Sequence, residues 1–348
     1  MDKANENSKR NFVAWFKYKW TNDPLFSIAI ALIIMIILQT LVLGFDYDSF
    51  GEWFRSWINN WINILRNNAG VAIIALGMTL VIMTGGIDLA VGSTLVATGA
   101  FTMVLLDTGS NGILGIFGLT GFMAYVVTIL LVLLLGYLLG LLIGATITKG
   151  KVPPFIATLG AMMIFRSVTQ HFMQGSNPKV PVEFLQIASF KIGNVMIMPI
   201  IYWGIIAYIL YYVSKRTTFG RQIIAVGSNE RAAKLSGVNV NKVKLRVYAL
   251  MGLLVSIAAI IQVSRIGSMD FSNAGRGMEM DAIAAAVVGG TSMMGGRGFI
   301  LGTVYGMLII AVMNNLLNLF GVPPFLREAF KGIIVVAAVL LQRKEKTS

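Results

Sequence analysis

The stretch VIMTGGIDLAVGSTLVATGA, residues 81–100, is apolar at both ends and is broken in its middle by two glycines, an aspartate and a Gly-Ser pair. Apolar runs recur along the chain, and several of them are roughly 20 residues long, the length that a helix needs to cross the hydrocarbon core of a bilayer. Because backbone polar groups cannot stay unpaired in hydrocarbon, such runs are expected to be helical. The stretch therefore predicts two short helices that meet at a turn in a membrane protein.

The composition supports a membrane protein. Of the 348 residues, 56% are hydrophobic and 12% are charged, whereas soluble proteins carry about 25% charged residues. This predicts an all-α polytopic bundle and disfavours a set of soluble domains. The chain has no cysteine, which excludes disulfides, thiol catalysis and cysteine-ligated metals. The first 22 residues are polar and basic and have no features of a secretory signal, so we expect them to be retained.

The net charge of +13 is unevenly distributed. Of the 28 Lys and Arg residues, 18 lie in four clusters, namely the N-terminal tail, Lys149 to Lys151, Lys215 to Arg246 and Arg343 to Lys346. Basic residues gather on cytoplasmic loops, so these clusters are expected on one side of the membrane. The charge indicates orientation and not binding to nucleic acid.

Apolarity predicts about ten transmembrane helices, some of them short or broken. Their expected ranges are 25–43, 68–84, 89–106, 122–147, 155–173, 196–213, 247–264, 282–293, 299–316 and 328–341. They form a single transmembrane domain, 23–342, with the basic loop 214–246 on the cytoplasmic side, between cytoplasmic tails 1–22 and 343–348. Segments 107–112, 175–195 and 266–280 are then expected outside. The segment between the first two expected helices is also expected outside. It carries a stripe typical of a separate interfacial helix, formed by Trp53, Trp57, Trp61 and Leu65.

Two glycine-rich stretches are similar to each other. GGIDLAVGS begins at Gly85, and GGTSMMGGRG begins at Gly289. Transporters often contain two related halves whose broken helices meet near the bilayer midplane. We therefore predict two pseudo-related halves with paired breaks around a pore, formed by Gly85, Gly86, Gly92, Gly289, Gly290, Gly295, Gly296 and Gly298. Close helix packing is the alternative reason for these glycines, as for Gly99, Gly136, Gly140 and Gly302.

The residue types argue against an enzyme. His171 is the single histidine, and no phosphate-binding loop or metal-ligand pattern occurs in the sequence. The ionisable residues of the apolar regions lie near span ends or can pair locally, as Glu328 and Lys331 can on one helix face. No acid lies at the centre of a span in the manner of a proton relay, which disfavours an ion-coupled transporter.

The basic loop contains a short helix signal. Ser228 and Asn229 are candidate N-caps, Glu230 to Leu235 has a helical composition, and Gly237 is a stop. The pattern Glu230, Ala232, Ala233, Gly237 reads E-x-A-A-x-x-x-G. Such a helix beneath the membrane can serve as a surface for a cytoplasmic partner, and a solvated connector is the equally open alternative.

Four stretches together resemble a known family. They are GGIDLAVGS, VPPFIATLGAMMIFRSVTQ, GRQIIAVGSNERAAKLSGVNVNKVKLRVYAL and MEMDAIAAAVVGGTSMMGGRGFILGTVYGMLIIAVMNNLLNLFGV. In this order and spacing they resemble the permease subunits of bacterial ABC importers for ribose and related monosaccharides. The resemblance covers about residues 55–342. The longer basic tail, the three tryptophans in 45–62 and Pro153-Pro154 depart from the ribose pattern and leave the sugar open.

The resemblance implies a multi-pass protein of the bacterial cytoplasmic (inner) membrane and a set of partners. These are a second permease chain, identical or paralogous, a cytoplasmic ABC ATPase and a periplasmic or lipid-anchored sugar-binding protein. It implies that ATP and Mg lie on the ATPase, and that this chain is a non-catalytic subunit without a cofactor or metal. The residues expected to couple to the ATPase are Ser228, Asn229, Glu230, Ala232, Ala233 and Gly237.

The expected function is import of a monosaccharide, with a ribose-like aldose as the first choice. The same architecture could carry a furanone of the autoinducer-2 type, a nucleoside, a branched-chain amino acid or another small solute. An ion-coupled secondary transporter is the alternative of a different class. A neutral sugar needs polar and aromatic contacts in the pore. Candidates near span ends or breaks, each with a structural role as the alternative, are Asn68, Thr84, Asp88, Ser93, Phe155, Asn314 and Asn315. For Asp88 that alternative is to cap the helix after the glycine turn.

Overall fold

The structure is a computed structural model that describes residues 15, 18, 19, 23–109, 112–176, 178–192, 195–323, 326–333 and 336. Within these residues the regular structure is helical except for one antiparallel hairpin. The elements are α1 Pro24–Leu43, α2 Phe50–Met83, α3 Val91–Leu106, α4 Ile113–Ile116, α5 Gly121–Thr148, α6 Pro154–Met173, α7 Val182–Ser189, β1 Lys191–Ile192, β2 Val195–Met196, α8 Met198–Arg216, α9 Thr218–Ser228, α10 Glu230–Leu235, α11 Val240–Ile266, α12 Met278–Val288 and α13 Ile300–Leu319. A further helical stretch covers 326–333.

Helix α2 is longer than the sequence predicts. It runs without interruption over 34 residues, so a separate interfacial helix followed by a span at 68–84 is wrong. Asn68 does not end the helix, because its side-chain amide donates to the carbonyl oxygen of Ile64 at 2.8 Å, one turn earlier. A side chain that bonds within its own helix leaves the backbone ladder intact.

The tryptophan stripe lies on the first half of α2 and contacts α1. The indole nitrogen of Trp53 donates to the carbonyl oxygen of Gly44, and that of Trp57 donates to the hydroxyl of Thr40, both at 3.0 Å. Trp57 and Trp61 lie next to each other, with ring centroids 6.0 Å apart. The stripe therefore joins the two helices at the end where α1 stops.

Helices α5 and α11 show how the bundle packs. A Cβ added at Gly136 would lie 2.5 Å from the carbonyl oxygen of Gly252, and one added at Gly144 would lie 3.2 Å from the Cα atom of Leu245. The small residues of α5 therefore let the two backbones approach closely, as is typical of membrane helices. The exposed large side chains of this helix include Leu130, Leu131, Leu134, Leu138 and Leu142.

Among the described residues, five helices are long and apolar enough to cross a membrane. They are α1 from Leu25 onward, α2, α5, α11 and α13, and α3 is a shorter apolar helix of 16 residues. Helices α6 and α8, with 20 and 19 residues, have a similar length. The chain is thus a multi-pass all-α membrane protein, and the total of ten spans remains a prediction.

The contacts define one end of the bundle. The start of α11 lies beside the end of α5, since Gly144 packs on Leu245. A Cβ added at Gly302 would lie 3.3 Å from a Cδ atom of Leu25, so α1 and α13 begin at the same level. We call this level, with Lys149, Lys151 and the 215–246 segment, the basic end. Most of the tail 1–22, the tail 343–348 and most of the last predicted span beyond residue 333 lie outside the described residues.

Other predicted boundaries shift. The expected span 282–293 is α12, Met278–Val288, which begins directly after Gly277 and ends before the glycine-rich turn. The loop 175–195 contains α7 and the first strand of the hairpin. Residues 267–277, which we call the 267–277 segment, connect α11 to α12.

Candidate functional site

The two glycine-rich turns contact each other through their backbones. The amide of Gly296 donates to the carbonyl oxygen of Met83 at 2.9 Å. A Cβ added at Gly298 would lie 2.6 Å from the Cγ atom of Met83. Gly85 has a φ of +77°, a left-handed conformation that favours glycine, and it turns the chain out of α2. The sequence similarity between the two turns therefore corresponds to direct contact.

A third segment joins them at the end of α9. A Cβ added at Gly227 would overlap the carbonyl oxygen of Met83 and lie 2.5 Å from the amide nitrogen of Gly296. A Cβ at Gly296 would in turn lie 2.5 Å from the hydroxyl of Ser228. We call this meeting of residues 83–86, 227–228 and 295–298 the glycine junction.

The glycine junction lies at the basic end, because Gly227 and Ser228 belong to the basic segment. The paired breaks were expected nearer the midplane of the membrane. Gly289 at the end of α12 packs on Gly302 near the start of α13. A Cβ added at Gly289 would overlap the carbonyl carbon of Gly302, and one added at Gly302 would overlap the carbonyl oxygen of Gly289. Gly86 packs on the hydroxyl of Tyr248 in α11, 2.5 Å from an added Cβ. The first turn is thus covered by α11 at Gly86, whereas Gly85 is exposed.

Helix α10 has the bounds that the sequence predicts, Glu230–Leu235. The side-chain oxygen of Asn229 accepts from the amide of Ala232 at 2.9 Å, so Asn229 is the N-cap. Ser228 is not a cap of α10, because it is the last residue of α9. Gly237 follows with a φ of +82° and reverses the chain toward α11.

Helix α10 is fixed to the bundle on one side and is open on the other. Ala233 is buried, and the side chains of Lys244 and Glu230 form an ion pair at 2.6 Å that joins α10 to α11. Leu235 is 84% exposed. A cavity of about 400 Å³ beside the helix is lined by Glu230, Lys234, Gly237, Val238, Asn239, Val240 and Asn241. This surface can receive a partner without rearrangement of the core.

A second close crossing joins α3, α6 and the 267–277 segment. A Cβ added at Gly92 would overlap the carbonyl oxygen of Gly275 and lie 3.0 Å from a carboxylate oxygen of Glu279. The guanidinium of Arg166 in α6 donates to the carbonyl oxygen of Ala274 at 2.7 Å. Both contacts engage backbone carbonyls, so they fix the path of the 267–277 segment.

Asp88 lies between the glycine junction and this crossing. Its carboxylate accepts from the amide of Ala90 at 2.9 Å. Helix α3 begins at Val91, and Ala90 occupies the N-cap position without a side-chain hydrogen bond. The expectation that Asp88 caps this helix is therefore wrong. Asp88 instead closes the turn that precedes the helix. Asp88 is 3% exposed, and Tyr248 donates to the carbonyl oxygen of Ile87 at 3.2 Å. Asp88 is therefore enclosed by protein in this conformation.

Helix α12 is tied to the 326–333 stretch by an ion pair. The ammonium of Lys331 lies 2.9 Å from a carboxylate oxygen of Asp281 and 3.2 Å from one of Glu328. The side chains of Lys331 and Asp281 are 12% and 15% exposed, whereas that of Glu328 is 60% exposed. The pairing of Glu328 with Lys331 was predicted from spacing, and Asp281 is the more buried partner.

The predicted pore candidates do not form one site. Thr84 caps the end of α2 at the glycine junction, and Phe155 is exposed at the start of α6. Asn315 donates to the side-chain oxygen of Asn60 at 3.3 Å, in the half of the bundle away from the basic end, where Asn68 also lies. The hydroxyl of Ser93 and the side-chain oxygen of Asn314 are buried without a hydrogen-bond partner among the described residues.

Sequence reasoning selected the glycines of both turns, but it did not select Gly227 or the contact of Arg166. Gly227 stands alone among non-glycine neighbours in a helix and gives no local signal. Arg166 lies within an apolar run, and its partner is a backbone carbonyl 108 residues away. Spacing on one helix face predicted the pairing of Lys331 with Glu328. Intramembrane charge also marks Arg166 as a residue that is usually paired, but it does not indicate the partner.

A polar cavity lies at the end opposite the basic end. Its volume is about 550 Å³, and its lining residues are Gln170, His171, Met173, Gln174, Gly175, Ser176, Met269, Asp270, Phe271 and Ser272. Hydrogen bonds from the Asn273 side chain and the Ser272 amide lower the pKa of Asp270, which stays ionised. The cavity lies between two of the segments that were expected outside, 175–195 and 266–280.

Comparison with known proteins identifies the family. Residues 60–339 match the family described as the branched-chain amino acid transport system, permease component. The chain belongs to this family. The match covers α3 to α13 and most of α2, so the glycine junction and α10 both lie within the part that defines the permease.

Several relatives cover most of the permease. This chain is 41% identical to the ribose import permease protein RbsC of Escherichia coli (strain K12). The alignment spans 290 residues, which are 82% of this chain and 85% of the relative. It is 41% identical over 289 residues to RbsC of Bacillus subtilis (strain 168), which is 81% and 84% of the two chains. It is also 35% identical over 318 residues to the galactofuranose transporter permease protein YtfT of Escherichia coli (strain K12), which is 90% and 88%. No solved structure gives a significant match.

Proposed function

We propose that this permease is the pore-forming subunit of an ATP-driven, binding-protein-dependent importer of a monosaccharide, with a ribose-like aldose as the first choice. The observation that carries the proposal is the 41% identity to ribose import permeases of two distant bacteria over more than four fifths of the chain. The galactofuranose relative is a permease for another monosaccharide. The cargo class is therefore the part of the proposal with the strongest support.

The proposed orientation has both termini and the basic end in the cytoplasm. The positive-inside rule favours it, because Lys149, Lys151 and the 215–246 segment lie at one end of the bundle. About ten spans in two related halves would return the C-terminus to the same side. The membrane is the bacterial cytoplasmic (inner) membrane, the site expected for an importer of this family.

Helix α10 is the proposed docking element for a cytoplasmic ABC ATPase. Its support is geometric: a short, capped helix is fixed to α11 through the ion pair of Glu230 with Lys244 and presents the exposed Leu235. A rigid helix can pass a displacement from the ATPase to the bundle and switch access to the pore. ATP and Mg belong to the ATPase in this proposal, and the permease is non-catalytic and holds no cofactor.

The opposite end is the proposed receiving surface for a periplasmic or lipid-anchored sugar-binding protein. The polar cavity of about 550 Å³ supports this, because amide, hydroxyl and aromatic groups suit a neutral polyol as it is released. The pore itself is proposed to form between this chain and a second permease chain, either identical or paralogous. Weak polar contacts suffice in the pore, since a binding protein supplies selectivity.

The family description favours a second cargo class, the branched-chain amino acids. A zwitterion needs one group for its carboxylate and one for its ammonium, whereas a sugar needs neither. Uptake by proteoliposomes that contain the permease, its ATPase and its binding protein separates the two. We expect ATP-dependent uptake of labelled ribose or another monosaccharide that excess leucine does not reduce. Uptake of leucine without uptake of any monosaccharide would contradict the proposed cargo.

A further inference from the structure

The glycine junction brings three segments that are distant in sequence into backbone contact. Gly227 leaves no room for a side chain, since an added Cβ would overlap the carbonyl oxygen of Met83 and lie 2.5 Å from the amide nitrogen of Gly296. The hydrogen bond from Gly296 to Met83, at 2.9 Å, joins the other two segments directly. No rotamer change can relieve contacts of this kind, because they involve main-chain atoms.

The junction is one residue away from the proposed docking helix. Gly227 and Ser228 end α9, and Asn229 caps both the end of α9 and the start of α10. A displacement of α10 can therefore reach the junction directly through Asn229. The ion pair of Glu230 with Lys244 offers a second route, into α11.

Each arm of the junction leads toward the opposite end. From Met83 the chain passes through Asp88 to Gly92, whose backbone lies against the carbonyl oxygen of Gly275. From Gly296 the second turn leads back to α12, which begins directly after Gly277. Both arms therefore end on the 267–277 segment, which lines the polar cavity through Met269 to Ser272.

We propose that the glycine junction is the element that transmits motion of α9 and α10 to both glycine turns, and that the three segments move as one body. Gly227 is the positioning residue, because a side chain there would collide with the backbones of both other segments. The inference rests on the proposed function, since it needs a partner that displaces α10. It adds a direct route from the docking surface to the cavity.

The test compares Gly227→Ala with Gly204→Ala in the complete transporter. Gly204 lies in α8 with nothing within 4 Å of an added Cβ, so it is the matched control. We expect the Gly227 variant to keep ATP hydrolysis within about threefold of the unaltered protein while transport per ATP hydrolysed falls at least tenfold. The control should stay within twofold in both assays. Normal transport per ATP hydrolysed in Gly227→Ala would overturn the inference.

If the Gly227→Ala variant does not assemble, a pair of introduced cysteines tests whether the two glycine turns move as one body. The chain has no cysteine, so Met83→Cys with Gly298→Cys introduces a single possible disulfide. The Cβ added at Gly298 lies 2.6 Å from the Cγ position of Met83, within reach of a disulfide after a small shift. Because the turns move as one body, we expect the oxidised pair to transport within twofold of the reduced pair, with each single cysteine as a control.

Loss of transport on oxidation, with recovery on reduction, would show that the two turns move apart, and would overturn the inference. This outcome is distinct from failure of the proposed function. If the unaltered protein showed no ATP-dependent transport, the proposed function would fail and the inference with it. If that transport is present and the oxidised pair is inactive, the inference alone fails.

Discussion

The carbonyl oxygen of Met83 accepts a hydrogen bond from the amide of Gly296 at 2.9 Å, and through this bond the two glycine-rich turns of the chain meet. Gly227 completes the contact from the end of α9. Three backbones thus lie together at Met83, Gly227 and Gly296. The contact connects the surface proposed for an ATPase with the helices that lead to the opposite end.

We predict that Gly92→Ala destabilises the protein. The added methyl group would overlap the carbonyl oxygen of Gly275, and overpacking of this kind costs about 1–3 kcal/mol. Thermal unfolding in detergent, compared with Gly204→Ala, measures the effect. Equal melting temperatures for the two variants would show that α3 and the 267–277 segment are not in close contact.

We predict that Lys331→Met lowers stability by about 3–5 kcal/mol, because it leaves the buried carboxylate of Asp281 without its partner. The double variant Lys331→Met with Asp281→Asn should recover most of that loss, since no charge then remains unpaired. Glu328→Gln is the control, because the Glu328 side chain is 60% exposed and contributes little. A double variant no more stable than the single one would argue against the ion pair.

We predict a favourable coupling between Thr79 and Thr303. Their hydroxyl oxygens are 2.6 Å apart inside the bundle. Interhelical hydrogen bonds in membranes contribute about 0.6 kcal/mol on average. A double-mutant cycle with Thr79→Val and Thr303→Val measures the coupling through thermal or denaturant unfolding. Strictly additive effects would mean that the two hydroxyls do not stabilise each other.

We predict that Leu235→Asp prevents the ATPase from co-purifying with the permease and leaves the melting temperature of the isolated chain unchanged. Leu235 is 84% exposed on α10, so its replacement affects no core contact. Phe320→Asp is the control, because Phe320 is 66% exposed after α13, at the other end of the bundle. Retention of the ATPase by Leu235→Asp would place the docking surface elsewhere.

We predict that Asn229→Ala weakens the same docking more than Ser228→Ala does, because Asn229 and not Ser228 caps α10. Asn229 accepts from the amide of Ala232, and loss of an N-cap costs about 1 kcal/mol. ATPase binding by titration compares the two variants. A larger loss of binding in Ser228→Ala than in Asn229→Ala would contradict the assignment of Asn229 as the cap.

Local signals in the sequence account for the parts of the fold that were predicted well. Helix α10 has the predicted bounds because a cap and a glycine stop mark its ends, and α1 begins one residue before its predicted start. The resemblance to monosaccharide permeases is confirmed by the relatives. These features depend on neighbouring residues or on long aligned stretches, both of which a single sequence contains.

The features that were missed depend on contacts between distant residues. Asn68 looked like a helix end because it is polar in an apolar run, but its side chain bonds within the helix. The predicted pore residues looked like one set, yet they lie at different levels of the bundle. Thr84 lies at the glycine junction, whereas Asn314 and Asn315 lie in the half away from the basic end. The junction of Met83, Gly227 and Gly296 could not be predicted, since nothing in one sequence pairs these positions.

The most direct measurement of the central claim is transport by the purified chain in liposomes, with and without its ATPase. We expect sugar uptake only when the ATPase, the binding protein and ATP are all present, and no uptake with a proton or sodium gradient alone. Uptake by the chain without the ATPase, driven by either ion gradient, would contradict the account and identify a secondary transporter.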